Sequence, residues 1–293
     1  MSESRQKVAL ITGASSGIGF AVSKELALKG WKVYAGARRT EMMAPLKEFG
    51  VVPITLDVAS KQSRDELKEV LTKELVDGQL DVLYNNAGIS CTSPAIDVSD
   101  ERLESAFAVN VFAPIQLTRD LQDFVIAAKG TILFTGSIAG TTPFPFSSVY
   151  CSTKAAIHAY ARVLHLEMKG FGVRVINVVT GGVQTDIADK HPKVEGSKFD
   201  CEAFDDAFES RRTMAKNNKP MTAEAYAKEV VGDILSSRDP IDVYRGKLAT
   251  IMGYLPLLAP GFITEYFLAI KFKLNPIFAY LRKKYSGDEL HLD

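Results

Sequence analysis

The start of the chain contains the stretch that decides the fold, Val8-Ala9-Leu10-Ile11-Thr12-Gly13-Ala14-Ser15-Ser16-Gly17-Ile18-Gly19. A short apolar run ends at Gly13, and an amphipathic segment then runs from Gly17 to Lys29 and is closed by Gly30. Such a pattern predicts a strand, a tight turn and a helix in succession.

Strand-like and helix-like segments alternate along the rest of the chain. Strands are predicted at 32–36, 52–56, 81–84, 131–135 and 173–179, and helices at 63–75, 101–128, 149–169 and 223–235. Alternation of this kind is typical of a parallel sheet with helices on both faces. We therefore predict an α/β fold with a Rossmann-type doubly wound parallel sheet in a single domain over residues 1–250. Residues 186–220 form a polar substrate excursion, and residues 251–293 form an apolar and basic tail.

The composition excludes several classes of protein. The 293 residues carry 35 Lys and Arg against 35 Asp and Glu, so no net charge indicates a nucleic-acid partner. The three cysteines are widely spaced and predict neither a disulfide framework nor a zinc site, which fits a reducing compartment. We expect no signal peptide and no metal. We interpret the four histidines as packing or surface residues: His158, His165, His191 and His291.

The glycine-rich turn predicts a dinucleotide site. Glycines let the backbone turn tightly and approach a pyrophosphate, and the helix N-terminus supplies amide donors. The spacing is Gly-x-x-x-Gly-x-Gly rather than the more familiar Gly-x-Gly-x-x-Gly, and an ordinary strand-to-helix turn is the alternative. The predicted cofactor residues of this segment are Gly13, Ser15, Ser16, Gly17, Ile18 and Gly19.

The ends of the next strands extend this site. The second strand ends at Arg38 and Arg39, and basic residues here accommodate a 2′-phosphate, whereas an acid would bind the ribose hydroxyls. The two arginines therefore favour NADP(H) over NAD(H), although they could also lie on a solvated loop. Asp57 and Val58 end the third strand, where they could meet the adenine edge. The fourth strand ends beside the same cleft at Asn86-Ala87-Gly88.

Tyr150 and Lys154 form a Tyr-x-x-x-Lys pattern, which places both side chains on one face of a helix. A free phenol has a pKa near 10. A cation about 4 Å away, at an effective dielectric constant of about 20, is worth about 4 kcal/mol or about three pKa units. We therefore expect Lys154 to lower the pKa of Tyr150 toward the range of acid–base catalysis. A solvated helix pair is the alternative.

The segment Gly13-Ala14-Ser15-Ser16-Gly17 also matches the Gly-x-Ser-x-Gly string of serine hydrolases. A hydrolase requires a strained elbow and a histidine paired with a carboxylate further along the chain. Here the elbow would fall on the first strand, and no later histidine stands out as a partner. The hydrolase therefore remains a remote alternative.

In combination, these motifs make the chain resemble the short-chain dehydrogenase/reductase family between Lys7 and about Gly246. The resemblance rests on Thr-Gly-x-x-x-Gly-x-Gly at 12–19, Asn-Asn-Ala-Gly at 85–88, and Asn110, Ser137, Tyr150 and Lys154. It implies that Tyr150 donates a proton to the substrate oxygen and that Lys154 lowers the pKa of this tyrosine and holds the nicotinamide ribose. It implies that Ser137 hydrogen-bonds the reacting carbonyl and that Asn110 anchors a water relay to Lys154.

The same resemblance implies further cofactor contacts. Tyr150 and Lys154 would contact the cofactor as well as the substrate, and Arg119 matches a basic position that often lies near it. Val183 and Thr185 fit positions that contact the nicotinamide carboxamide. The family usually shows Pro-Gly after the sixth strand, whereas this chain has Thr180-Gly181-Gly182, so the loop geometry there could differ.

Segments at 83–88, 134–137, 159–169, 180–190 and 242–246 resemble the group of 1-acyldihydroxyacetone-phosphate reductases within that family. This resemblance implies NADPH-dependent formation of 1-acylglycerol 3-phosphate at the cytosolic face of the endoplasmic reticulum or on lipid droplets, with a cytoplasmic location as the alternative. Another lipophilic ketone or alcohol (a steroid, polyketide or terpenoid) is the alternative substrate. A non-catalytic lipid-associated binding protein and a homo-oligomer also stay open.

Three regions bear on the substrate and the membrane. Phe144 and Phe146 lie between Ser137 and Tyr150 and suit a lipophilic substrate, although they could equally be core residues. Residues 251–270 are apolar but interrupted by prolines and glycines, and basic residues follow. Since a spanning helix needs about 20 largely apolar residues, we expect an interfacial hairpin or amphipathic helix on a membrane surface, with packing on the pocket or a dimer partner as the alternative.

A phosphate group could be bound by Arg211, Arg212, Lys216 and Lys219, which could also form a solvated face.

Overall fold

The computed structural model describes residues 5–185, 187 and 194–285. One seven-stranded sheet with the order β3-β2-β1-β4-β5-β6-β7 forms its centre, and every strand pairs in parallel with its neighbours. The predicted doubly wound sheet is confirmed, and it has one more strand than expected because Asp242–Arg245 adds to its edge. The strands are β1 (Val8–Thr12), β2 (Lys32–Ala37), β3 (Val52–Thr55), β4 (Val82–Asn85), β5 (Thr131–Thr135), β6 (Arg174–Thr180) and β7 (Asp242–Arg245).

Helices cover both faces of the sheet. Every residue of β1 is buried, and successive residues of a strand point to opposite faces. Ala9 and Ile11 therefore join one apolar core with α1 and α7, whereas Val8 and Leu10 join a second core with α2, α4 and α5. The helices of these two layers are α1 (Gly17–Leu28), α2 (Lys61–Glu74), α4 (Ala113–Ala128), α5 (Ser148–Met168) and α7 (Ala223–Leu235). The buried residues of α3 (Asp100–Phe107) and α6 (Glu202–Asn217) belong to separate, smaller clusters.

The long helix predicted over 101–128 is interrupted. A π-helical turn, Ala108–Phe112, separates α3 from α4, and Pro114 lies at the start of α4. Proline is tolerated there because the first amides of a helix have no carbonyl partner within it. Wide turns of this kind often occur at functional sites, and this one contains Asn110.

The substrate excursion contains a helix that the sequence did not suggest. Residues 186 and 188–193 of the excursion lie outside the described residues, but 202–217 form α6. Its buried residues Phe204, Ala207 and Phe208 follow helical spacing. Many charged residues lie between and around them in the sequence, so this apolar pattern was difficult to recognise.

The tail forms three short helices, α8 (Ala249–Leu258), α9 (Gly261–Lys271) and α10 (Asn275–Tyr285). Leu268 and Phe272 pack against Phe144, and Ile277 packs against Phe204 and Phe208. No helix in the described part of the chain is both long enough and apolar enough to cross a membrane. The tail therefore covers the excursion and the loop before α5, and the domain boundary at residue 250 stays a prediction.

The turn between β1 and α1 is closely packed. Gly13 has a φ of +67°, a conformation that L side chains rarely adopt. At Gly19, an added Cβ would lie 2.5 Å from the Gly13 carbonyl oxygen and 2.6 Å from Nδ2 of Asn86. The turn thus allows no side chain at the point where it meets the end of β4.

We predict that Gly19→Ala destabilises the protein by roughly 1–3 kcal/mol, because the added methyl group overlaps backbone that cannot move freely. Gly232→Ala is the matched control, since an added Cβ in α7 meets nothing within 4 Å. That substitution should stabilise the helix by roughly 0.5–1 kcal/mol. Urea unfolding measures both values, and equal effects of the two substitutions would contradict the packing argument.

Candidate active site

The four predicted catalytic residues lie at the carboxyl ends of β4 and β5. Ser137 follows β5, Tyr150 and Lys154 occupy the first turns of α5, and Asn110 lies in the π-helical turn. Asn110, Ser137 and Lys154 are buried, and Tyr150 is partly exposed. In open parallel sheets this edge is where ligands bind.

The Lys154 ammonium lies deep in this site. Its Nζ donates a hydrogen bond to the Thr135 carbonyl oxygen at 2.8 Å. Burial lowers the pKa of Lys154 to about 8. A Cβ added to Gly88 would lie 3.7 Å from Nζ and 3.3 Å from Oδ1 of Asn110, so the backbone after β4 passes directly against both side chains.

Asn110 ties the loop after β4 to α5. Its Oδ1 accepts from the Ile89 amide at 2.8 Å, and its Nδ2 donates to the Ile89 carbonyl at 2.9 Å and to Oγ1 of Thr153 at 3.1 Å. Thr153 in turn donates to the Tyr150 carbonyl at 2.8 Å. Asn110 therefore orients the helix that carries Tyr150 and Lys154, while the water relay to Lys154 stays a prediction.

The expectation that the pKa of Tyr150 lies below its ordinary value is wrong. The pKa of Tyr150 is raised by burial, and hydrogen bonding with Ser137 and the charge of Arg211 only partly oppose this. The Lys154 Nζ lies 5.7 Å from the Tyr150 ring centroid and is directed at the Thr135 carbonyl. Loss of hydration disfavours the phenolate more than the nearby cations favour it.

His158 is a site residue that the sequence analysis missed. The Ser137 backbone amide donates to its Nε2 at 3.1 Å, so that nitrogen is unprotonated and the proton of the neutral ring is on Nδ1. An added Cβ would lie 2.6 Å from the ring at both Gly136 and Gly140. Burial lowers the pKa of His158 to about 4. Its position four residues after Lys154, on the same helix face, was the available signal.

The predicted cofactor residues of the turn come together. Asn86 donates from Nδ2 to the Thr12 carbonyl at 2.9 Å, and Oγ1 of Thr12 accepts from the amides of Asn86 and Ala87 at 3.0 Å each. On the other side, a Cβ added to Gly17 would lie 3.1 Å from the Thr185 methyl group. The turn residues Gly13 to Gly19 therefore lie between Asn86-Ala87 and Thr185.

This turn fits a pyrophosphate. Ser16 precedes the first turn of α1 without a side-chain hydrogen bond to its amides, and that turn has no acidic residue. Its amide donors and the positive end of the helix dipole are thus available to an anion. Among the described residues, no hydrogen bond joins Ser15 to a histidine, and His158 is occupied by Ser137. The geometry gives the hydrolase alternative no support.

The predicted cofactor residues outside the turn differ in their exposure to solvent. Arg38 and Arg39 are exposed directly after β2, one strand from the turn, and Asp57 follows the neighbouring strand. Val58 lines a small cavity with Thr12 and Ala87. Val183 is buried after β6.

Arg119 stays a prediction. It lies on the exposed face of α4 and pairs with Asp120 at 3.2 Å. None of its contacts within the described part of the chain is with another predicted cofactor residue.

The chain belongs to the short chain dehydrogenase family, whose sequence profile matches residues 7–196. It is therefore an oxidoreductase acting on CH–OH or C=O groups. An NADPH-dependent 1-acyldihydroxyacetone phosphate reductase from Saccharomyces cerevisiae is 53% identical, with 97% of each chain covered. The short-chain dehydrogenase virD from Hypocrea virens is 35% identical, with 93% of this chain and 94% of that protein covered. The fold matches a short-chain dehydrogenase from Streptomyces avermitilis with a TM-score of 0.75 and 24% identity, over 98% of this chain and 100% of that one.

We predict that His158→Leu lowers turnover by about tenfold or more, because the Ser137 amide loses its acceptor and the serine moves from its position. His158→Gln keeps an acceptor and should restore most of the turnover. His165→Gln is the control, because that side chain lies on the same helix but contacts the Val175 carbonyl at 2.8 Å. Steady-state kinetics measure the effect, and equal loss in His158→Gln and His158→Leu would contradict it.

The lowered pKa of His158 also predicts that the stability of the protein depends on pH. The unfolded state binds a proton at His158 below about pH 6.5, whereas the folded state does so only below about pH 4. Its stabilising contribution is therefore complete above pH 6.5 and is lost as the pH falls toward 4. Over that interval the free energy of unfolding of the wild type should fall by about 3 kcal/mol more than that of His158→Gln. Parallel urea titrations of the two proteins test this, and identical pH profiles would contradict it.

Proposed function

We propose that the protein reduces 1-acyldihydroxyacetone phosphate to 1-acylglycerol 3-phosphate with NADPH. The observation that carries this proposal is the 53% identity, over 97% of the chain, to the yeast reductase of that name. The site supports it, because Ser137, Tyr150 and Lys154 meet at the edge of the sheet where the glycine-rich turn lies. A steroid, polyketide or terpenoid ketone remains the alternative substrate, and the intact catalytic set disfavours a non-catalytic lipid-binding protein.

NADP(H) is the cofactor that these residues fit. The turn from Gly13 to Gly19 would hold the pyrophosphate, and the exposed Arg38 and Arg39 would hold a 2′-phosphate. Lys154 would hold the nicotinamide ribose. When bound, NADPH supplies the hydride that reduces the ketone carbon.

The protein supplies the proton. Because burial raises the pKa of Tyr150, its hydroxyl is protonated at neutral pH, which is the form that can donate to a ketone oxygen. Ser137 hydrogen-bonds the same oxygen. Lys154, with a pKa of about 8, is mostly charged at pH 7.

The tail helices carry a second proposal. We propose that they associate with the surface of the endoplasmic reticulum or a lipid droplet on its cytosolic side. Large apolar side chains of α8 and α9 are exposed, with Leu258 82% and Phe262 71% accessible. The exposed basic residues Lys271, Arg282, Lys283 and Lys284 follow them. Exposed apolar surface beside lysine and arginine favours an anionic lipid surface.

A cytoplasmic location without membrane contact is the alternative, and the homo-oligomer also stays a prediction. Exposed apolar residues occur on α5 as well, where Val163 is 55% and Leu166 is 65% accessible. A second copy of the chain could cover them.

We predict that Tyr150→Phe lowers kcat by at least about a hundredfold and leaves NADPH affinity nearly unchanged, because only the donated proton is lost. Tyr160→Phe is the control, since its ring lies on the same helix but packs against Phe134. Turnover of 1-acyldihydroxyacetone phosphate and NADPH fluorescence titration measure the two quantities. Full activity of Tyr150→Phe would exclude the proposed proton donor.

We predict that the protein floats with vesicles of phosphatidylcholine and phosphatidylserine at low salt and that Leu258→Glu plus Phe262→Glu abolishes the binding. Leu28→Glu plus Val76→Glu is the control, because these residues are 59% and 73% accessible and lie in the connections that precede β2 and β4, far from the tail in the chain. Raising the salt concentration should weaken the binding. No flotation of the wild type at low salt would contradict the membrane proposal.

A further inference from the structure

Arg211 reaches the catalytic pocket from α6. It follows the buried Phe204 and Phe208 at helical spacing and therefore lies on the inner face of that helix. Its guanidinium carbon is 5.3 Å from the ring centroid of Phe144. Phe144 shares one apolar cluster with Tyr150 and with Met214, which lies one turn after Arg211. A cation from the excursion thus lies beside the proton donor.

The charge of Arg211 is not neutralised by the described part of the protein. Its Nε is buried without a hydrogen-bond partner, and no carboxylate among the described residues forms an ion pair with it. Its charge instead acts on the phenol of Tyr150 and the thiol of Cys151, and burial lowers its own pKa. A guanidinium with a buried, unpartnered Nε and no counterion among the described residues is unfavourable, so an anion entering the pocket would be strongly attracted.

The neighbouring basic residues differ from Arg211. Arg212 pairs with Glu209 at 3.3 Å. Lys219 is exposed beyond the end of α6, and the side chain of Lys216 lies outside the described residues. Among the described members of the four-residue cluster expected from the sequence, Arg211 is the one whose charge acts on Tyr150.

We propose that Arg211 binds the phosphate group of the substrate and thereby positions the ketone at Tyr150. The inference rests on the proposed function. In 1-acyldihydroxyacetone phosphate, three bonds separate the carbonyl carbon from the phosphorus atom. A phosphate anchor must consequently lie next to the proton donor, where Arg211 is found. The planar guanidinium offers several donors to phosphate oxygens, and Phe144 supports its face.

The anchor is tested with a pair of substrates. Arg211→Ala should lower kcat/KM for 1-acyldihydroxyacetone phosphate by about a hundredfold, the loss typical of a buried charge pair. It should change kcat/KM much less for 1-acyldihydroxyacetone, which has the same ketone but no phosphate. Arg212→Ala should leave both values almost unchanged. Equal losses on the two substrates in Arg211→Ala would overturn the proposal.

A binding measurement separates this inference from the proposed function. Calorimetry with the NADP⁺-loaded protein compares 1-acylglycerol 3-phosphate with 1-acylglycerol. Wild type should bind the phosphate compound more tightly, and Arg211→Ala should lose that preference while Arg212→Ala keeps it. If wild type does not reduce the acyl ketone phosphate, the proposed function fails, and the calorimetric preference still decides the anchor. If wild type shows no preference for the phosphate compound, the anchor fails whatever the activity.

Arg211→Lys is a control for the possibility that Arg211→Ala fails to fold. It keeps a positive charge near Phe144 but lacks the planar set of donors, so it should recover part of the phosphate preference. Near-ultraviolet circular dichroism of each variant reports its packing. Natively packed Arg211→Ala that retains the full phosphate preference would overturn the proposal.

Discussion

The contact between the inner face of α5 and the carboxyl end of β5 is the interaction on which the site depends. Lys154 donates to the last carbonyl of β5, and the amide of Ser137, two residues beyond that strand, donates to His158. In the first hydrogen bond the donor is on α5, and in the second the acceptor is on α5, so both bonds join this helix to the end of β5. Asn110 adds a third link from the loop after β4. Since the strands are held by the sheet, the serine, the tyrosine and the lysine acquire fixed relative positions.

Burial determines the charges of this site more than neighbouring charges do. The phenol of Tyr150 holds its proton more strongly, whereas Lys154 and His158 hold theirs more weakly than in water. All three shifts favour the neutral form, which follows from the loss of hydration around each group. The result is a protonated donor beside a lysine that can still carry charge at neutral pH. A reductase needs that combination, because the oxygen that receives the hydride-derived negative charge must also receive a proton.

The substrate side of the pocket is built by the last third of the chain. Helix α6 contributes Arg211, while α9 supplies Leu268 and Phe272 against Phe144. The aromatic residues Phe146, Phe199, Phe204 and Phe208 pack edge to face or tilted beside them. A cation next to apolar surface suits a molecule with a phosphate at one end and an acyl chain at the other. The exposed apolar residues of α8 and α9 extend this apolar surface to the outside of the protein, as the proposed contact with a lipid surface requires.

Sequence alone determined the features that depend on short spacing. The run from Val8 to Gly19 predicted strand, turn and helix, and the four-residue separation of Tyr150 and Lys154 predicted their common helix face. Tertiary structure decided the rest, because it depends on groups distant in the chain. Nothing near Asn110 in sequence indicates its π-helical turn, and the role of His158 arises only from its contact with a residue 21 positions earlier. The direction of the Tyr150 pKa shift follows from burial by several elements, and the choice of Arg211 over Arg212 follows from the rotation of α6 as it packs. Contacts between residues distant in the chain determine the burial of Tyr150 and the rotation of α6, and a local sequence pattern does not encode such contacts.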